Sequence, residues 1–149
     1  MKSAFFCVLA AGGLLFLGAC SGDTGDANRA AAAPSRARES NGQMIFLTGK
    51  NGAGHPITAA KAPLAASCAA CHHANGAGGL TFPGGAVSAD LRHGALVTKQ
   101  KHPYTLALLE RAIAKGIDNE NTPLDAVMPR WKLSPRDLHD VAAYVMTLK

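Results

Sequence analysis

Apolar residues recur at helical spacing in two stretches of the C-terminal half. Leu138, Val141, Ala142, Val145 and Leu148 fall three or four apart up to the C-terminus and mark one face of a helix. Ser134, Pro135 and Asp137 give that helix an N-cap, a proline at its first position and an acid in its first turn. Leu106, Leu109, Ala112 and Ile113 repeat the spacing after Tyr104 or Thr105, with Lys115 in the last turn and Gly116 just past the end. A shorter helix is predicted from Ser40, because Gln43 completes a capping-box pattern ahead of Met44, Ile45, Phe46 and Leu47. Gly42 and Phe46 share one face of it, and Met44 and Met146 read as core residues. Pro63 suits a first helical turn and no breaker follows from Leu64 to His73, so a fourth short helix is expected there.

The remaining stretches are punctuated. Gly49 to Pro56, with an exposed His55, reads as loop, as does Asp118 to Pro129, which holds Pro123 and Pro129. Gly76 to Gly85 is rich in glycine around Leu80, Phe82 and Pro83, a composition suited to wrapping a ligand. Ala86 to His102 spaces Leu91, Leu96 and Val97 irregularly and reads as loop with one turn. No internal repeat and no strand pattern stands out.

The residues before Ser40 form no part of this pattern. Lys2 precedes an apolar run from Ala4 to Leu17, interrupted at Gly12 and Gly13, that is too short for a membrane span and reads as an export leader over residues 1–19. Leu17-Gly18-Ala19-Cys20 resembles a bacterial lipobox, which would make Cys20 the lipidated mature N-terminus; an ordinary secretory leader with an idle cysteine is the alternative. Residues 20–40 then form a tether, since Ser21 to Glu39 carry almost no large apolar side chain. Such a tether spans at most roughly 70 Å extended and on the order of 25 Å as a coil. The ordered domain is expected over residues 41–149.

Composition changes this picture in two ways. Aromatic residues are only 5% of the chain, few for a domain that must fill a core, so a bulky apolar cofactor would supply what side chains do not. The formal charge of +5 is too mild and too scattered to indicate nucleic acid; it suits an acidic redox partner, anionic lipid or a merely solvated surface. Of the four cysteines, Cys7 falls in the leader and Cys20 at its end, which leaves Cys68 and Cys71.

Cys68-Ala69-Ala70-Cys71-His72 is the pattern C-x-x-C-H, whose common chemical meaning in an exported protein is covalent attachment of haem. On a helix, positions three and four apart share a face. Both sulfurs would bond the edge of one porphyrin as thioethers while His72 supplies the proximal nitrogen to iron. Two other chemistries use a C-x-x-C. A thioredoxin-like redox pair should follow a strand in a βαβ unit, whereas Ala65-Ala66-Ser67 is helix-like. A zinc site needs four ligands, and no second C-x-x-C or H-x-x-x-H supplies the other two.

The sixth coordination position decides between an electron carrier and a site that binds something. Met128, in a proline-bounded loop, is the candidate thioether ligand. Bis-histidine ligation through His93 or His102 is the alternative; those two and His139 lie among polar residues, and His73 turns about 100° from His72 on a helix.

Together these residues resemble the class I cytochrome c family over roughly Asn41 to Lys149. The resemblance is carried by the C-x-x-C-H motif, by Gly42-x-x-x-Phe46, and by Met128-Pro129 followed by Leu133-Ser134 and a last helix bearing Tyr144. It implies an all-α fold of about three to five helices wrapped around one haem c, with the first and last helices crossing at Gly42, Phe46 and Tyr144. It implies a proline carbonyl that accepts the Nδ1 hydrogen of the proximal histidine, assigned here to Pro83. It also implies a leucine against the ring, assigned to Leu91, and an aromatic that shields it or bonds a propionate, assigned to Trp131.

The function this implies is one-electron transfer in the periplasm or at the membrane surface. Redox proteins would be the partners, the membrane would be reached through Cys20, and neither nucleic acid nor a small-molecule substrate is expected. The alternatives are a subunit docked permanently on a dehydrogenase or oxidase complex, and a haem enzyme or gas sensor with an open distal position.

Overall fold

In the computed structural model, residues 40–61 and 63–149 are described. The expected leader, Cys20 and all of the tether but residue 40 lie outside them. Chain order is helix α1 (residues 40–48), strand β1 (Thr58–Ala59), helix α2 (Ala69–His72), a π-helical turn (Gly94–Thr98), helix α3 (Leu106–Lys115), strand β2 (Trp131–Lys132) and helix α4 (Pro135–Val145). The all-α expectation therefore holds apart from two paired dipeptides: β1 and β2 run antiparallel, Thr58 opposite Lys132 and Ala59 opposite Trp131. Strands of two residues leave no alternation for a sequence to reveal.

The two amphipathic helices end as their sequences dictate. The Thr105 hydroxyl accepts from the Leu108 N–H at 3.3 Å, and Gly116 closes α3 in the left-handed region, its N–H donating to Ala112. The Ser134 hydroxyl accepts from Asp137 at 3.1 Å, with Pro135 in the first turn of α4. Ser40, expected as the N-cap of α1, already lies within that helix.

Helix α1 crosses α4 at Gly42. A Cβ on Gly42 would run into the Asp140 carbonyl oxygen and lie 2.9 Å from the Tyr144 Cβ, so only glycine permits the approach. One turn later Phe46, fully buried, meets Tyr144 with ring centroids 5.6 Å apart and planes tilted by 55°. Asn41 secures the crossing: its amide donates to Asp137 at 3.0 Å and to the buried Asp140 at 2.7 Å, while its oxygen accepts from the Gly52 N–H.

One apolar cluster unites all parts. Ile45 and Phe46, Leu96, Leu109 and Ile113, Trp131, and Val141, Ala142, Val145 and Leu148 are buried together. Met146 packs against them half-buried. Met44, read as core, is instead 40% exposed on the outer side of α1, because Ile45 and Phe46 take the inward positions.

The helix expected from Leu64 to His73 shrinks to the four residues of α2, preceded by bends. Leu64 is 75% exposed and the alanines beside it offer little to bury, and without a packed face so short a helix is not stable. Ala86 to His102 does contain its one turn: the Lys99 N–H donates to Gly94 at 3.0 Å, the wide i→i+5 ring of a π-helix.

Candidate cofactor site

Cys68 takes the N-cap position of α2 with helical angles of its own, φ −63° and ψ −45°. Its carbonyl accepts from both the Cys71 and His72 N–H groups, at 3.1 and 2.9 Å. That single turn brings Cys68, Cys71 and His72 to one side. His73 then turns the chain with φ +61°, so the helix stops directly after the histidine.

Both ends of the next excursion return to His72. The Gly78 N–H donates to the His72 carbonyl at 3.0 Å, and further along the chain the Ala89 carbonyl oxygen lies 2.8 Å from His72 Nδ1. Between them the chain runs out and back as a narrow hairpin, bridged at Gly79 to Ser88, Ser88 to Leu80 and Phe82 to Ala86. Phe82-Pro83-Gly84-Gly85 makes its tip, with proline second and Gly84 third at φ +94°, the residues a type II turn demands. Pro83 is therefore exposed at the far end, and the carbonyl that holds the histidine belongs to Ala89. This corrects the assignment to Pro83: the leucine of the expected pair, Leu91, marks the right strand, and alanine stands where proline was sought.

A carbonyl oxygen can only accept, so Nδ1 of His72 carries the hydrogen and Nε2 keeps its lone pair. Burial pushes the imidazole pKa down, partly opposed by the Ala89 carbonyl and reinforced by His73. Burial raises both thiols, Cys68 to about 12. The site thus presents a neutral, oriented imidazole beside two protonated, unpaired thiols. This donor set suits a c-type haem: a free imidazole nitrogen and two thiols three residues apart, against an apolar wall.

That wall is the common core. Cys68, Ala69, Leu91 and Met128 are half-buried against it, and Trp131, 4% exposed, is part of it. Of the assigned site residues within the described region, Pro83 is the one that stands exposed. His93, His102 and His139 are exposed; His102 Nδ1 lies 2.6 Å from Glu120, and His139 Nδ1 lies 3.0 Å from Glu110. Among the described residues no three His, Cys, Asp or Glu side chains are grouped to hold a metal ion.

Two arginines that residue type alone did not single out build the segment around Met128. Arg111 reaches the Asp118 carbonyl and, at 2.7 Å, the Asn121 side chain. Arg130 donates to the carbonyls of Leu124 and Asp125, at 2.7 and 2.9 Å, and to that of Met128. Apart from the Asn121 side chain, their targets are backbone oxygens, which no sequence displays; the adjacency of Arg130 to Met128-Pro129 is the only clue.

A family model described as Cytochrome c matches residues 57–149. The chain belongs to the cytochrome c family, whose members bind haem c covalently and serve in general as electron carriers rather than enzymes. No curated protein and no solved structure matches the chain. Helix α1 precedes the matched region and joins it through the Gly42 crossing.

Proposed function

We propose that this chain is a class I, single-haem carrier, tethered to a bacterial membrane and facing the periplasm. Cys68 and Cys71 would form the thioethers, Nε2 of His72 and the Met128 sulfur would be the two iron donors, and Leu91 and Trp131 would line the ring. Haem, when bound there, supplies a one-electron ferric–ferrous couple. The chain's own part is to present two fixed donors in a water-poor wall, so that the ligands need not rearrange when charge changes. The observation that carries this reading is the His72 Nδ1 contact to Ala89, which leaves Nε2 free beside both thiols. Partners would be redox proteins that approach the face bearing the motif.

Met128→Ala tests the ligand set. The parent protein should be low-spin, unreactive towards carbon monoxide when reduced, and should show the charge-transfer band of a ferric thioether complex. The variant should lose that band, bind carbon monoxide and fall in reduction potential; an unchanged spectrum rejects the assignment. Export and anchoring rest on the sequence from Leu17 to Cys20, and Cys20→Ser should release the protein from the membrane fraction.

A further inference from the structure

Arg130 follows Met128-Pro129 directly, yet its side chain turns back over the segment that precedes it. One guanidinium nitrogen donates to the Asp125 carbonyl at 2.9 Å and to the Met128 carbonyl; the other terminal nitrogen donates to Leu124 at 2.7 Å. Its main chain is fixed separately, the Arg130 carbonyl accepting from the Ala60 N–H at 3.0 Å beside the paired strands. Among the described residues the ion pairs join Arg92 to Asp90, His102 to Glu120, Arg136 to Asp140 and His139 to Glu110; none includes Arg130. All three of its hydrogen bonds thus go to main-chain oxygens, and they converge from three residues of one loop.

The end of α3 is shaped to receive this group. A Cβ on Gly116 would overlap Nε and Cζ of Arg130 and come within 2.6 Å of Nη2, so the guanidinium lies over a bare backbone. Gly116 also has φ +65°, which glycine adopts without strain, and its carbonyl accepts from the Leu124 N–H at 2.8 Å. Leu124 is consequently held from both sides, by Gly116 through its N–H and by Arg130 through its carbonyl. Asp125 adds bonds within the turn, its carbonyl to the Met128 N–H and its carboxylate to the Val127 N–H at 2.8 Å.

We infer that Arg130 is the positioning residue for Met128, its guanidinium fixing the carbonyls of residues 124, 125 and 128 on one side so that the thioether is held towards the core. The inference rests on the proposal that Met128 is the second axial donor. The physical reason is preorganisation. Carbonyl oxygens tied to a rigid planar fork leave the loop few alternative conformations, so less entropy is lost when its sulfur binds and correspondingly less is gained when an outside ligand displaces it. A lysine would keep the positive charge as a single point and could not match three acceptors spread over five residues.

The test uses the full-length, haem-loaded protein and its Arg130→Met and Arg130→Lys variants, titrated in the ferric state with imidazole while the thioether charge-transfer band is followed. Arg130→Met should keep the band in the absence of imidazole yet bind imidazole on the order of tenfold more tightly than the parent. Hydrogen–deuterium exchange of the Val127 and Met128 amides should quicken in parallel. Arg130→Lys should shift both readouts the same way by less, and it serves alone if the methionine variant fails to mature. Gly116→Ala, which displaces the guanidinium without removing it, should mimic Arg130→Met. A parent with the band and variants with its imidazole affinity and amide exchange overturn the role of Arg130 alone. A parent without the band overturns the Met128 assignment and this inference with it.

Discussion

The carbonyl oxygen of Ala89 sits 2.8 Å from Nδ1 of His72, and it is brought there by a hairpin whose first strand is also bound to the same histidine. Because the acceptor is main chain, no side-chain change at residue 89 removes it; the strand itself must be moved. Gly78 offers the means.

Gly78 has φ +64°, and a Cβ there would lie 2.5 Å from the Ser88 carbonyl oxygen and against the Ala89 carbonyl. Gly78→Ala should push the strand away, weaken the hydrogen bond and raise the reduction potential, since the bond makes the imidazole a stronger donor to ferric iron. Left-handed strain alone should cost about 1–2 kcal/mol in denaturant unfolding. Pro83→Ala, at the exposed tip, should leave the potential and the spectrum unchanged. The opposite pattern would return the role to Pro83.

The crossing of α1 on α4 makes a second prediction. Gly42→Ala forces a methyl group against the Asp140 carbonyl and the Tyr144 Cβ, which should cost about 1–3 kcal/mol. Phe46→Ala empties a fully buried site and should cost about 3–5 kcal/mol. Urea titrations of the three proteins check both values. If Gly42→Ala unfolds at the same urea concentration as the parent, the close approach of the helices is not what holds this end of the domain.

Elements that carry their own chemistry were readable in the chain. Thr105 and Gly116 bound α3, Ser134 and Pro135 open α4, and Gly42-x-x-x-Phe46 forms the helix crossing, because each works through a side chain or the lack of one. Where the acting group is a peptide carbonyl the sequence is silent. Ala89 holds His72 with an atom every residue possesses, so Pro83 drew the assignment through its ring when its real task is a turn. Met44 was misplaced for a related reason: α1 has four consecutive apolar residues, and periodicity within so short a run does not say which pair faces inward.

Asp137 links stability to pH. Burial works to raise its carboxyl, but hydrogen bonds with Asn41, Asn51 and Ser134 and the charge of Arg136 prevail, so its pKa lies below the ordinary 3.8. A lowered acid contributes stability that is fully present above its unfolded value and is lost as pH falls through the folded one. Asp90 behaves alike, held at about 2 by Arg92, though this exposed pair is open to screening by salt. Melting temperature should therefore fall steeply from about pH 4 towards pH 2. Asp137→Asn should flatten that fall at both low and high salt. Asp90→Asn should do so at low salt only.

Trp131 gives the most direct check on where a porphyrin sits in this fold. It is the only tryptophan, 4% exposed, and it shares its core with residues that pack against it from both halves of the proposed site, Cys68 on one side of the sequence and Met128 on the other. An indole in contact with haem loses its excitation to the ring, whose absorption overlaps indole emission, and regains emission when the chain expands. The native haem-loaded protein should consequently be almost dark, and emission should rise through the same urea transition that Phe46→Ala shifts. Two-state unfolding requires that rise to coincide with the loss of helical circular dichroism. Bright native emission would mean that the ring does not lie against this core, and the placement of Leu91, Met128 and Trp131 around it would have to be abandoned together.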